Sequence, residues 1–352
     1  MSPEEESLAE AQPAGRFVPD GVLGESPREV LAFKFGGSSL LGAARMLHAA
    51  GLVREATGRS RVVVVVSAMK GVTDRLLAIA AKSEAGRAAD ARREADHLLY
   101  HHLEVLRELR LDPFRAERVA RELRFLGKDL LDDVSSAAAA ASREALSDRL
   151  ASYGERFSAR LFAAALEATG VSAVPVSSSE FVLTCDTFRD AQPQIDETRR
   201  RGREILLPLF ADGLVPVVTG FIGATEDGRV TTLGRNSSDF SGALVAHVVE
   251  ADELVIWTDV DGIYSANPRE SAEAKLLYEL SYDQAHALAS AGAQVLHAKV
   301  LPLAAETEMV VWVRNTFNPR FRGTRIGPPV SGEADLPAPP RGCHNSNSRG
   351  AA

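Results

Sequence analysis

The sequence predicts an α/β protein, a three-layer α/β/α arrangement around an open, mostly parallel sheet. Three observations predict it. Residues 62–66 are five consecutive valines, a run that suits a central strand covered on both faces. Short apolar strands alternate with helical stretches along the chain, the pattern of parallel strands joined by crossover helices. Several strands also close on a small-residue loop that opens directly into a helix. The fullest case is 230–261, VTTLGRNSSDFSGALVAHVVEADELVIWTDVD. Its loop of Gly, Ser and Asn presents free backbone N–H groups at the positive end of a helix, a cradle for an anion. An ordinary Asx- or Ser-type helix cap is the alternative reading of the same residues.

The elements follow in order. Residues 1–28 are rich in Glu, Pro, Ala and Gly without periodicity and read as a disordered tail. A strand over 30–35 runs into Gly36-Gly37-Ser38-Ser39, followed by a helical pattern to Arg54. Residues 62–66 end at Ser67-Ala68-Met69-Lys70-Gly71, before a helix carrying Leu76, Leu77 and Ile79. Residues 86–150 read as almost continuous helix, broken near Pro113 and Gly127, with Ala137 to Ala141 as helix or turn. A helix over 150–169 places Glu155 near its start, where a first-turn acid stabilised by the helix dipole is the plain reading. Strands are expected at 171–176 and 214–222, with a short strand and turn over 181–189. After the 230–261 stretch come an extended loop to Arg269, a capping-box helix opening Ser281-Tyr282-Asp283-Gln284, a helix from Gly292, and a last strand over 309–313. From Gly327 onward the composition is again that of a disordered tail.

Composition narrows the function. The 352 residues carry 40 basic and 48 acidic side chains, a formal net charge of −8, which argues against nonspecific nucleic-acid binding. Hydrophobic residues at 45% and charged residues at 25% are ordinary for globular chains. Two cysteines, Cys185 and Cys343, imply no disulfide framework. No apolar run approaches the roughly 20 residues of a membrane span, and the acidic N-terminus lacks a signal-peptide core, so a cytoplasmic protein is expected. His97 and His101 are i,i+4 on one helix but lack an HExxH motif or a third ligand, so no metal site is assigned.

Three strand ends should meet on one sheet edge, where ligands of open α/β sheets bind: Lys34 to Gly37, Ser67 to Met69, and Gly220 to Gly223. Lys34 is placed to point across that crevice, with a solvent-facing strand residue as its alternative reading. Arg235 supplies a bidentate cation and Asp239 an acid at the loop–helix junction. Together these groups suit phosphoryl transfer to a small amphoteric acceptor. The loops are not a Walker A motif, which is absent from the chain.

Seven blocks also carry a resemblance: KFGGSS, VVVSAMKGVTD, YGERFSARLFAAAL, GFIG with GRVTTLGRNSSD, WTDVDGIYSANPR, AGAQVLH and VRNTFNPRFRGTRI. In order and spacing they resemble aspartate kinase, of the amino-acid kinase superfamily, from about residue 31 to 326. The resemblance implies an amino-acid-kinase-like fold with an acceptor-binding lobe over about 29–219 and a nucleotide-binding lobe over about 220–326. It implies ATP and Mg2+ as cofactors and L-aspartate as acceptor. Lys34 would contact the phosphates and the transferring group, and Asp239 would orient that lysine and the substrate. Glu155 would bind the substrate ammonium and Arg235 its α-carboxylate, with Ser67 and Ser238 lining the acceptor pocket. Gly36, Gly37, Ser38, Thr258, Asp259, Tyr264 and Arg269 would lie on the ATP side. A homo-oligomer is implied as well.

The chain departs from the family pattern at three places. Ser237 replaces a glycine of the anion loop, where a Cβ is expected to crowd the ligand or demand a positive φ. Gln294 stands where many members have lysine, and His297-Ala298-Lys299 replaces HPR or HPK. Typical members continue into paired ACT regulatory domains, whereas here only the 327–352 tail follows. A catalytic region without them is expected, with regulation, if any, in a separate chain. A non-catalytic ligand- or partner-binding homologue, or a kinase for another acidic amino acid, is the alternative.

Overall fold

The computed structural model describes residues 29–329, except 138, 139, 141, 267–270, 272 and 291–295. The first half of the chain lays down β1 (Val30–Phe35), α1 (Ala43–Thr57), β2 (Arg61–Val66), α2 (Val72–Glu84), α3 (Ala88–Glu108), α4 (Pro113–Ser136) and α5 (Arg143–Ala168). It continues through β3 (Ala173–Val176), α6 (Ile195–Ala211) and β4 (Val215–Thr219) to the hairpin of β5 (Ile222–Ala224) and β6 (Val230–Thr232). The second half adds α7 (Ser238–Val248), β7 (Glu253–Thr258), a small hairpin of β8 (Ile263–Tyr264) and β9 (Leu276–Leu277), and β10 (Glu279–Leu280). It closes with α8 (Tyr282–Ser290), α9 (Val300–Glu306), β11 (Val310–Asn315) and β12 (Thr324–Ile326).

One eight-stranded sheet runs in the order β10-β12-β11-β7-β1-β2-β4-β3, and every pairing but β11–β12 is parallel. The chain builds to one side of β1 and then, from β7, to the other. This reversal makes the carboxyl end of β1 the switch point, where loops splay apart and leave a crevice.

Two hydrophobic cores lie on opposite faces of the sheet. Strand side chains alternate between them: Phe33, Phe35, Val64 and Val66 face the core formed with α1 to α5, while Ala32, Val63 and Val65 face the core formed with α6 to α9. Both cores draw on strands from each half of the chain. The alternation places Lys34 on the same side as Ala32, toward α7. This is the three-layer arrangement that the valine run and the strand–helix alternation predict.

Several expected boundaries differ. Gly127 does not break a helix: it lies inside α4, where the absent side chain makes room for Leu99 of α3, whose methyl would sit 2.4 Å from an added Cβ. The helix expected over 150–169 begins at Arg143, after Ser142, whose hydroxyl caps Ala145 N–H at 3.1 Å. Glu155 is therefore deep inside α5, too far from its N-terminus to be a dipole-stabilised first-turn acid. The short strand expected within 181–189 is reduced to isolated bridges, Leu183 with Ala224 and Thr184 with Pro193, and the expected turn follows at Phe188 and Arg189. The segment 214–222 turns at Gly220 and Phe221, splitting into β4 and β5. β11 is not the last strand: β12 folds back antiparallel on it.

The capping box is present as reciprocal bonds, Ser281 N–H to Gln284 Oε1 at 2.9 Å and Gln284 N–H to Ser281 Oγ at 3.2 Å. The helix expected from Gly292 starts, in the described residues, at Val300. Gln294, Arg269, Cys343 and both expected tails, 1–28 and most of 327–352, lie outside the described residues.

α5 is pressed against the loop after β2 at Gly154, where an added Cβ would stand 2.7 Å from the Ala68 Cβ. Gly154→Ala is expected to destabilise the protein by about 1–3 kcal/mol through overpacking, against the ~1 kcal/mol that alanine normally adds in a helix. Urea unfolding midpoints check this. A midpoint equal to or above wild type would show that α5 has slack at this contact.

Candidate active site

The carboxyl ends of the central strands are laced together by backbone bonds. Gly36 N–H donates to Trp257 O at 3.2 Å, Ser67 N–H to Phe35 O at 3.2 Å, and Gly220 N–H to Val66 O at 2.8 Å. The three loops predicted to share an edge do so, and a cleft of about 370 Å³ opens above them. It is bordered on one face by α5 and on the other by the start of α7. Two glycines shape its floor. An added Cβ at Gly37 would lie 2.6 Å from Ala68 O, so only glycine lets the loops after β1 and β2 touch. At Gly36 it would sit 3.7 Å from Lys34 Nζ, in the space above the ammonium.

Lys34 is 8% exposed, which removes the solvent-facing reading. Its Nζ lies 2.6 Å from Asp239 Oδ1, and its stem packs at Gly242 of α7. Glu155 is 2% exposed. Its Oε1 accepts the Ala68 N–H at 2.9 Å, while Oε2 is buried with no hydrogen-bond partner among the described residues. Burial pushes the Glu155 carboxyl up to about 8, against the pull of the Ala68 N–H and the Lys34 charge. A buried acid oxygen that the described residues leave without a partner is a place for a donor from a ligand.

The loop before α7 answers both readings given to it. Ser237 caps α7 with its backbone only, making no side-chain cap bond, so the Ser-type cap does not form. The first-turn amides are left free of side-chain partners. The expected cost at Ser237 is absent: its φ is −79°, and the left-handed residue is its neighbour Asn236 at +61°. The Ser237 side chain is fully buried, turned away from the cleft. Asn tolerates positive φ better than most residues, which lets the loop keep its turn without glycine at 237.

Of the residues singled out in the sequence, Lys34, Gly36, Gly37, Ser67, Glu155, Arg235, Ser238, Asp239 and Thr258 line the cleft. Ser38, Asp259 and Tyr264 do not: Ser38 turns in a short 3-10 segment, its carbonyl accepting Arg45, and Tyr264 pairs with Leu276 in the β8–β9 hairpin. His97 and His101 gather no third ligand; among the described residues no group of three His, Cys, Asp or Glu converges on a metal position. The buried histidine of α3 is instead His102, stacked on Phe157 at 4.5 Å, with burial lowering its pKa to about 4.

Two charged cleft residues went unassigned in the sequence. Lys70 is fixed by its own N–H to Gly37 O at 3.1 Å and makes no ion pair among the described residues. Asp74, in the first turn of α2, meets Arg235 at 3.3 Å, both side chains largely exposed. Their position in the block after β2 was the available signal. The cleft thus holds three cations, Lys34, Lys70 and Arg235, and three acids, Asp74, Glu155 and Asp239. Cations and acids side by side in a crevice open to solvent suit a ligand that itself carries both signs.

The raised Glu155 pKa has a consequence for stability. A carboxyl with a folded pKa above its unfolded value favours the folded state most below the unfolded value, near 4.5, and that advantage is lost as pH rises through about 8. Glu155→Gln is expected to remove this slope, so that its stability relative to wild type rises between pH 5 and pH 8.5, at up to ~1.4 kcal/mol per pH unit. Denaturant midpoints across that range check it. Parallel wild-type and variant profiles would mean that Glu155 is ionised throughout.

Comparison with known proteins places the chain. Residues 29–315 match the amino acid kinase family. The chain is 34% identical over 299 residues to lysine-sensitive aspartokinase 3 of Escherichia coli (strain K12), covering 85% of this chain and 64% of that protein. It is 33% identical over 297 residues to chloroplastic aspartokinase 1 of Arabidopsis thaliana, covering 83% and 51%. The crystal structure of E. coli aspartokinase III in complex with aspartate and ADP matches with a TM-score of 0.76 at 33% identity, over 85% of this chain and 64% of that one. The chain spans less than two thirds of the length of each of these relatives. No described helix is long and apolar enough to cross a membrane. Since the family match runs from the start of β1 to the end of β11 and takes in every strand that carries the cleft, the chain belongs to the amino acid kinase family.

Proposed function

We propose that the chain is an aspartate kinase, transferring the γ-phosphoryl group of ATP to the β-carboxylate of L-aspartate to give 4-phospho-L-aspartate and ADP. The observation that carries this reading is the buried, half-satisfied carboxylate of Glu155 in the same cleft as the Lys34–Asp239 pair. Glu155 Oε2 needs a donor, and an α-ammonium supplies both protons and charge. Arg235, exposed on the opposite loop, takes the α-carboxylate in place of Asp74. With both α-groups held, the acceptor's side-chain carboxylate is directed along the cleft toward Lys34.

The chemistry then needs little beyond position and charge. A β-carboxylate oxygen attacks Pγ, and the bond from Pγ to the β,γ-bridging oxygen breaks, leaving ADP. The carboxylate is already anionic, so no base is required. Lys34 offsets charge on the moving phosphoryl group, and Asp239 holds its ammonium in place. Gly36, Gly37 and the free amides of α7 suit phosphate oxygens, and Lys70 is a further cation within reach of them. Thr258 borders the nucleotide side. Mg2+ bound with ATP would offset phosphate charge, and no protein ligand is assigned to it.

The test combines ADP release with trapping of the acyl phosphate by hydroxylamine. Aspartate is expected to give the β-hydroxamate, and N-acetylaspartate little, because acetylation deletes the charge that Glu155 awaits. Lys34→Ala is expected to lower kcat by at least ~100-fold, since it removes a cation acting in the transition state. Preference for the N-acetylated acceptor, or a Lys34→Ala enzyme impaired only in its KM for ATP, would overturn these roles.

A further inference from the structure

Asp148 lies on α5 two helical turns before Glu155, on the same face of the helix, and is 2% exposed. Its carboxylate accepts three hydrogen bonds, none from its own helix. Oδ2 accepts the backbone N–H of Arg189 at 2.8 Å and that of Thr232 at 2.7 Å, and Oδ1 accepts the Thr232 hydroxyl at 3.0 Å. Thr232 ends β6, two residues before the loop that carries Arg235 and leads to Asp239 in the first turn of α7. Arg189 belongs to the segment crossing over that loop, tied to it by Ala191 N–H to Thr232 O at 2.9 Å. Arg189 has a φ of +71°, a left-handed conformation that a non-glycine residue keeps only where its surroundings fix it. Asp148 supplies that fixing contact. Beside it, a second cleft of about 400 Å³ shares Leu77, Phe221 and Arg235 with the first, so the arginine has open space to swing into if the loop is released.

We propose that Asp148 is a positioning residue for the acceptor: it clamps the anion loop to the helix that carries Glu155, and so sets the spacing between Glu155 and Arg235. This rests on reading the cleft as the site of an α-amino-acid acceptor. The clamp follows from shape more than charge. An amide at this position can accept both backbone N–H groups on its oxygen and donate to the Thr232 hydroxyl, whereas a methyl can do neither.

Hydrogen exchange and steady-state kinetics on the full chain test it together. Asp148→Ala is expected to speed amide exchange across residues 184–192 and 231–239 while leaving 34–39 and 67–72 as in wild type. It should raise the aspartate KM at least about tenfold, with the ATP KM within about twofold. Asp148→Asn should restore slow exchange and an aspartate KM within about threefold of wild type. If Asp148→Ala does not fold, Thr232→Val removes one donor and keeps the shape, with an expected rise of about threefold in the aspartate KM alone. Unchanged exchange over 231–239, equal rises in both KM values, or an Asp148→Asn protein as impaired as Asp148→Ala would overturn the proposal. A wild-type protein that makes no aspartyl phosphate would instead sink the functional reading, and the exchange contrast would still decide whether Asp148 clamps the loop.

Discussion

The ion pair between Lys34 and Asp239 is the contact on which the site depends. Both side chains are close to buried, at 10% and 13% exposure, and a charge in that position is tolerable only with its partner. The pair joins the central strand β1 to the first turn of α7 across the sheet's switch point. It therefore fixes where the anion loop sits relative to the glycine loop. In the proposed reaction its cation is also the one that meets the transferring phosphoryl group. One interaction thus holds the two halves of the cleft together, anchored on a strand and not on a loop.

Much of this was legible in the sequence, for physical reasons. The valine run of β2, short and β-branched throughout, suits a doubly covered strand, and small-residue loops after strands mark a ligand edge. The Ser281–Gln284 capping box is a local signal with a local cause, and it appears as read. What failed were inferences that needed a tertiary partner. Gly127 looked like a helix break because its reason, the approach of Leu99, lies on another helix. Glu155 looked like a first-turn acid because the true start of α5, at the Ser142 cap, was hidden in a continuous helical pattern. The strain expected at Ser237 fell on Asn236, since a loop can move a left-handed residue by one position when asparagine is available.

The missed cleft residues share a property: their role depends on what faces them. Asp74 has meaning only opposite Arg235, Lys70 only beside Gly37, and Asp148 only beneath the two segments it holds. None carries a motif of its own. The burial of Glu155 is the clearest case, because sequence marks the residue through its block but not the stranded oxygen or the raised pKa. These follow from the closeness of α5 to the loop after β2, which Gly154 permits.

In the proposed reaction the Glu155 carboxyl, raised to about 8 by burial, meets the substrate's ammonium group. Binding that cation should bring its pKa down and expel the proton. Titrating aspartate calorimetrically into the protein with a non-hydrolysable ATP analogue, near pH 7 and in buffers of different ionisation enthalpy, counts the protons directly. Release approaching about one proton per aspartate bound is expected, abolished in Glu155→Gln. Heats independent of the buffer, or a release that survives in Glu155→Gln, would contradict it.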